Sequence, residues 1–301
     1  MKFENRLPAE GINSATANPL QELTWLLAGG LGAVLVLVFS VSLAAQWIAP
    51  RIPYKYEARL AAKFPSFATA PDNPAGRAVQ SELQAIADRI AVRLQMPAGM
   101  VVRVGYRDEE TINAFATIGG QAVFFRGLLA RLKSEDALAM VIAHELAHLK
   151  YRHASAALGR GVAIGVVLSV VSSNLGSSAA GNVLGTAGMA TLLSFNRAQE
   201  READEAALRA LHDQYGHVGG AIELFDVMTH LPGAQGDSGT ATVELLQTHP
   251  LTANRVAMVG QWATANGAAV EGPLKPLPAA IAGLRGAQSS SPVTLTRVAP
   301  R

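Results

Sequence analysis

The chain has 301 residues, half of them hydrophobic, 16% charged and 6% aromatic, with 25 Lys plus Arg against 23 Asp plus Glu and a formal net charge of +2. This composition excludes a disordered chain, which needs low hydrophobicity and high net charge, and it lacks the basic excess that phosphate contacts demand, so no nucleic-acid partner is expected. The absence of Cys excludes disulfide stapling, thiol catalysis and thiolate metal ligands, while a mean hydropathy of +0.22 raises the question of whether part of the chain sits in lipid.

Residues 1–24 read as an N-terminal tail. No charged residue lies between Glu22 and Arg51, and the apolar run Trp25–Ile48 is 24 residues long. At about 1.5 Å per residue, such a helix crosses a hydrocarbon core of about 30 Å with some tilt. Trp25 and Trp47 stand at its two ends, where amphipathic rings favour the headgroup level, and Pro50 and Pro53 stop it. The expectation is one transmembrane anchor over 25–49, touching the bilayer through 25–48, in a single-pass protein of the cell inner membrane. The rival reading is a cleaved secretory signal ending near Ser42-Leu43-Ala44. The run is longer than a usual signal core, and Glu4, Glu10 and Glu22 are wrong for a basic leader. Arg51, Lys55, Arg59 and Lys63 outweigh Lys2 and Arg6, which leans toward a cytoplasmic body. Long domains translocate regardless of such charges, so the side of the membrane, periplasmic or cytoplasmic, stays open.

Residues 50–75 hold five prolines and read as a connector. Residues 76–285 read as the folded domain and 286–301 as a flexible tail. Val79, Leu83, Ile86, Ile90 and Leu94 recur at helical spacing over 76–94. Strands are expected over Met100–Tyr106, Thr111–Ala116 and Gln121–Phe125, the last two joined as a hairpin around Gly119-Gly120. A short helix follows over Gly127–Leu132. Ser134, with Glu135 and Asp136 after it, caps a helix expected to run to about His153. Residues 154–195, rich in Ala, Gly, Ser and Val, admit three readings: a lid, a core hairpin or a second membrane segment. Helices are expected again over Asn196–Asp213, Ala221–Met228 and Asn254–Ala265, then a packed strap after Gly272. The fold class is α+β, mostly helical, with a small sheet.

The chemistry lies in His144-Glu145-Leu146-Ala147-His148. Two His at i and i+4 lie about 40° apart around a helix, so both imidazoles reach one point, and neutral imidazole is a good zinc ligand. Glu145 projects beside them as a candidate general base. The surrounding residues are apolar nearly all round, so the helix is buried, and two His and a Glu buried there need partners. A catalytic zinc needs a third protein ligand. A His six residues after His148 is absent, since that position is Ala154. His153, five residues on, would point about 140° away along a continuous helix and suits the surface or a supporting role. The remaining candidate is a carboxylate of the later helix, where Glu200 and Asp204 share a face: one to ligate, the other to hold a ligand His by its second ring N–H. Glu202 lies on the opposite side and is expected to face solvent or pair with an Arg.

H-E-x-x-H followed some fifty residues later by Glu200-x-x-x-Asp204 resembles the membrane-associated zinc peptidases that include HtpX, the CAAX prenyl proteases, the mitochondrial Oma protease and the BepA-like enzymes (peptidase family M48, gluzincin type). Asn113-Ala114-Phe115-Ala116 with Gly119-Gly120, Gly127-Leu128-Leu129, and Thr248-His249-Pro250 with Arg255 match further motifs of that family in order. The resemblance covers roughly residues 75–285 and implies a zinc metalloendopeptidase domain with one Zn2+ per chain. It implies His144, His148 and Glu200 as ligands, Glu145 as catalytic base and Asp204 as the residue orienting a ligand. It further implies that Asn113, Ala114, Phe115 and Ala116 pair with the backbone of a protein or peptide substrate, unfolded or misassembled, by strand addition. His249 is the expected second donor to the developing oxyanion, with Tyr215 as the alternative; His249 could instead fill the fourth zinc position and hold the site off. Arg255 matches the same downstream segment. Quality control of envelope proteins is implied by the resemblance alone, and a non-catalytic or self-inhibited zinc-containing peptide-binding membrane module is the competing reading. Only one convincing membrane helix and no helical-repeat module follow from the sequence, unlike several members of that family.

Overall fold

The computed structural model describes residues 18–48, 51–159, 161, 195–231, 245, 248–249 and 253–287. Helix α1, Pro19–Ile48, starts before the expected span and leaves its apolar side chains exposed. Its stretch Pro19–Ala44 has a mean hydropathy of 2.4, and it is the one helix among the described residues long and apolar enough to cross a membrane. The connector is not wholly irregular: Tyr54–Ala61 forms a helix, α2, with Glu57 and Ala61 buried on its inner side.

Helix α3, Pro74–Leu94, begins where Asn73 accepts a hydrogen bond from the Gly76 N–H at 2.6 Å and Pro74 occupies the first turn, where a missing N–H costs nothing. Val79, Leu83, Ile86, Ile90 and Leu94 are all buried, as their spacing requires. A three-stranded sheet follows in the order β1-β3-β2, from Arg103–Arg107, Ala114–Thr117 and Gln121–Phe125. β2 and β3 form the expected antiparallel hairpin, with Ala114 opposite Phe124, and β1 lies parallel to β3. The turn needs φ of 80° at Gly119 and 76° at Gly120, the left-handed region that glycine enters without strain. After the short α4, Arg126–Leu129, comes α5, Glu135–Lys150. Ser134 caps α5 by accepting from the Ala137 N–H at 3.1 Å, and acidic Glu135 and Asp136 sit in its positive first turn.

α5 is the axle of the domain. Every residue from Asp136 to Leu149 is buried, and α3, β2, β3, α6 (Arg197–Tyr215) and α7 (Gly219–Thr229) pack on it. α7 crosses it at Gly220, where a Cβ would stand 2.4 Å from the Asp136 backbone, so only glycine permits that approach. α8, Ala253–Asn266, closes over α6 and α7. The expected strap runs past the start of α5: Lys275 N–H donates to Asp136 Oδ2 at 2.8 Å, and Glu135 N–H donates to the Lys275 carbonyl at 2.8 Å. Two four-residue helices, α9 (Ala279–Ala282) and α10 (Leu284–Ala287), follow. α5 stops at Lys150 rather than continuing to His153. Arg152 takes φ of 62°, and a fresh helical stretch spans 153–159. The first strand begins at Arg103, three residues later than expected. The lid, hairpin or membrane readings of 154–195 and the flexible tail fall almost entirely outside the described residues.

Candidate metal centre

Three segments bring the site together. α5 carries His144, Glu145 and His148 on neighbouring positions of a wholly buried surface. The register of α6 is fixed by a capping box: Asn196 accepts from the N–H groups of Ala198 and Gln199, and the Gln199 side chain accepts from the Asn196 N–H. That start places Glu200 and Asp204 one turn apart, both buried and both facing α5. His249 is the third contributor, next to Thr248 and buried.

His144 Nε2 lies 3.1 Å from His148 Nε2 and 3.1 Å from His249 Nδ1. Glu200 Oε1 is 3.4 Å from His148 Nε2 and 3.1 Å from His249 Nδ1, and Glu200 Oε2 is 3.6 Å from His144 Nε2. All four donor atoms fall within 4.8 Å of one another. Four ligands held at about 2.0–2.1 Å from one ion in a tetrahedron stand about 3.3–3.4 Å apart, which is the spacing found here. The proton inventory agrees. His144 Nδ1 is 2.9 Å from Asp204 Oδ1, and a proton held on that nitrogen beside the carboxylate leaves a lone pair on Nε2. His148 Nδ1 meets His153 Nδ1 at 2.8 Å, so its Nε2 lone pair also points inward. Lone pairs aimed at one buried point need a cation, and the residues present fit a metal of the zinc type.

The supporting residues are as ordered as the donors. Arg255, buried, grips Asp204 with two bonds, Nε to Oδ2 at 2.7 Å and Nη2 to Oδ1 at 2.8 Å, and reaches Glu200 Oε2 with Nη1 at 3.0 Å. Burial alone would push the Asp204 carboxyl up, but the bonds from His144 and Arg255 outweigh it and hold it below its usual 3.8. Glu200 is likewise held well below the carboxylate range, because His249, His148 and His144 overcome its desolvation. Burial lowers His148 well below 6.5, which keeps it neutral and able to ligate. His249 goes the other way: its burial is outweighed by Glu145 and Glu200, which raise it.

Glu145 Oε1 is 3.5 Å from His249 Nε2, while its Oε2 has no hydrogen-bond partner among the described residues. It borders a narrow cavity between α5 and α7, walled by Met140, Val141, Leu224, Phe225 and Met228, with room for about one water molecule. A buried carboxylate oxygen with no hydrogen bond among the described residues is placed to act on a water in that cavity.

Sequence reasoning missed Phe195, Arg152 and Glu57. Phe195 stacks on His148 with centroids 3.9 Å apart and an 18° interplanar angle; the only signal was its place just before the α6 cap. Of the two places the sequence allows His153, the structure gives the supporting one: it is buried, and its Nε2 bonds Glu202 Oε2 at 3.1 Å, so the solvent-exposed Glu202 pairs with a His rather than an Arg. Arg152 and Glu57 form a buried pair behind them. Tyr215, the alternative oxyanion donor, is placed elsewhere: its hydroxyl bonds Glu135 at 3.1 Å, at the opposite end of α5 from His144, about 13 Å away by helix rise. Asn113 immediately precedes β2 and is buried, and Ala114, Phe115 and Ala116 form β2 itself.

This fold and this donor set define a metallopeptidase domain of the H-E-x-x-H class. The profile of Peptidase family M48 matches residues 77–263, and the chain belongs to that family. The chain is 33% identical over 156 residues to the mitochondrial metalloendopeptidase OMA1 of Schizosaccharomyces pombe, and 26% over 150 residues to OMA1 of Saccharomyces cerevisiae. It is 30% identical over 161 residues to the beta-barrel assembly-enhancing protease of Escherichia coli K12. These matches cover about half of this chain and 44%, 43% and 32% of those relatives respectively, so the chain spans less than half the length of each.

Proposed function

We propose that the chain is a membrane-anchored zinc metalloendopeptidase that hydrolyses peptide bonds of unfolded or misassembled proteins in the cell envelope. The observation that carries this reading is the convergence of His144, His148 and Glu200 on one buried point beside the free oxygen of Glu145. Zinc, one per chain, is the metal the imidazole and carboxylate donors suit. When bound, it supplies a Lewis acid for the scissile carbonyl and a water that ionises near neutral pH. Glu145 Oε2 is the group that would accept a proton from the attacking water and return it to the departing amine. Asp204, gripped by Arg255, holds His144 in the tautomer whose Nε2 faces inward. His249 donates from Nε2 to the charge developing on the scissile oxygen. Residues 113–116 take the substrate backbone by strand addition; no strand among the described residues pairs with the outer edge of β2. Residues 25–48 anchor the domain 76–285 to the inner membrane, and the name of the E. coli relative supports an envelope substrate.

The test is metal analysis of the full chain with a casein cleavage assay. About one zinc per chain, cleavage stopped by chelator and restored by zinc are expected; no stoichiometric zinc would overturn the reading. Glu200→Gln is expected to bring zinc content well below one per chain, and full occupancy would move the third ligand elsewhere. A second reading is favoured by one observation: His249 Nδ1 lies among the donors as closely as they lie to each other. In that reading His249 fills the fourth position and holds the enzyme off. His249→Ala would then raise casein cleavage at unchanged zinc content, whereas a loss of cleavage marks His249 as the donor.

A further inference from the structure

We propose that the segment joining α1 to the peptidase domain holds the metal centre in shape: Ile52, Tyr54 and Glu57 clasp Arg152, the turn at Arg152 places His153, and His153 orients His148. The inference rests on the zinc peptidase reading and adds a positioning role for residues outside the span of the family match. The clasp has five contacts. Glu57, buried on the inner face of α2, pairs through Oε2 with Arg152 Nη1. The same oxygen accepts from the Ser155 hydroxyl at 2.6 Å, and Oε1 accepts from the Gly119 N–H at 2.9 Å. Arg152 Nη2 donates to the Ile52 carbonyl at 3.3 Å, and its guanidinium lies 5.2 Å from the centre of the Tyr54 ring.

These contacts surround a residue whose backbone needs them. Arg152 has φ of 62°, a conformation that side-chain-bearing residues keep only where the surroundings over-determine it. Had α5 run on unbroken, His153 would point about 140° away from His148. The left-handed turn at Arg152 instead brings His153 Nδ1 to 2.8 Å from His148 Nδ1. His148 Nε2 faces the metal donors, so its Nδ1 carries the proton and donates it to His153, whose Nε2–H is passed on to Glu202. A bond of this kind fixes the ring plane and basicity of a ligand imidazole. The kink is therefore part of the site, and its clasp comes from residues just after α1.

The experiment compares full-length wild type, Glu57→Gln and His153→Ala, each loaded with zinc or cobalt. Zinc release to a chromophoric chelator, the visible absorption of the cobalt form and the thermal midpoint are measured. Glu57→Gln is expected to release zinc about 10- to 100-fold faster and to shift the cobalt bands. His153→Ala should do the same, and the double variant should add nothing to either, because both act through one bond. A Glu57→Gln protein with a lower thermal midpoint but wild-type zinc release and cobalt spectrum overturns the proposal; so does strict additivity. Should Glu57→Gln fail to fold, Arg152→Gly keeps the left-handed turn available while removing the guanidinium. Faster zinc release from it supports the clasp, and unchanged release overturns it. Wild type without stoichiometric zinc would defeat the peptidase reading itself, a result separate from an insensitive Glu57 variant.

Discussion

Glu145→Gln is expected to retain zinc and lose casein cleavage by about a hundred- to ten-thousand-fold. The amide keeps the shape of the side chain and leaves His144, His148 and Glu200 untouched, so metal content should stay at the wild-type value. What is lost is the proposed proton acceptor at Oε2, a buried oxygen with no hydrogen bond among the described residues. The contact of Oε1 with His249 Nε2 at 3.5 Å can pass to the amide oxygen. Metal analysis and cleavage assay on the same preparation decide the matter. A variant with full metal and wild-type turnover assigns the proton transfer to another group.

Arg255→Met is expected to be the most damaging single change to stability and metal retention together. The guanidinium is buried and faces two buried carboxylates, Asp204 and Glu200. Methionine fills much of the volume but removes the cation that Asp204 grips, a loss of about 3–5 kcal/mol for breaking such a buried pair. That is a large part of the about 5–15 kcal/mol of a whole domain. Urea unfolding at neutral pH measures it. The pH dependence has a definite sign. Asp204 is held below 3.8 in the fold, so its contribution is present above that pH and lost as pH falls through its depressed folded value. The difference between wild type and variant should therefore shrink below pH 3.8. A constant difference down to pH 2 would place the effect in packing rather than charge.

The H-E-x-x-H helix and the acidic helix were legible in the sequence because residues one helical turn apart share a face. His144 and His148, like Glu200 and Asp204, fall one turn apart, and the caps at Ser134 and Asn196 set the registers. The hairpin was legible from its glycine pair. The environment of His153 was not. Its direction depends on the backbone of Arg152, and that depends on Glu57, 95 residues earlier in the chain. Periodicity carries no information about a break imposed from such a distance, which is why a continuous helix to His153 was expected. The same limit hid α2 inside a proline-rich stretch and misplaced Tyr215, whose neighbour in space is the first turn of α5. Arg255 was visible as a residue but not as the clamp on Asp204, since α6 and α8 meet only in the folded chain.

β2 is only four residues long and lies at the margin of the sheet. Under its proposed use as a docking edge, only every second residue of so short a strand turns its N–H and C=O outward, which leaves two to four backbone bonds for a guest. At about 1 kcal/mol each, these give a grip on the order of millimolar or weaker. Such a margin ignores side-chain identity and demands a stretch of polypeptide already free of its own pairing partners. Folded proteins rarely offer one, whereas a chain stalled before folding offers many in succession. Selectivity would then arise from how long a victim stays unpaired: a timer rather than a lock.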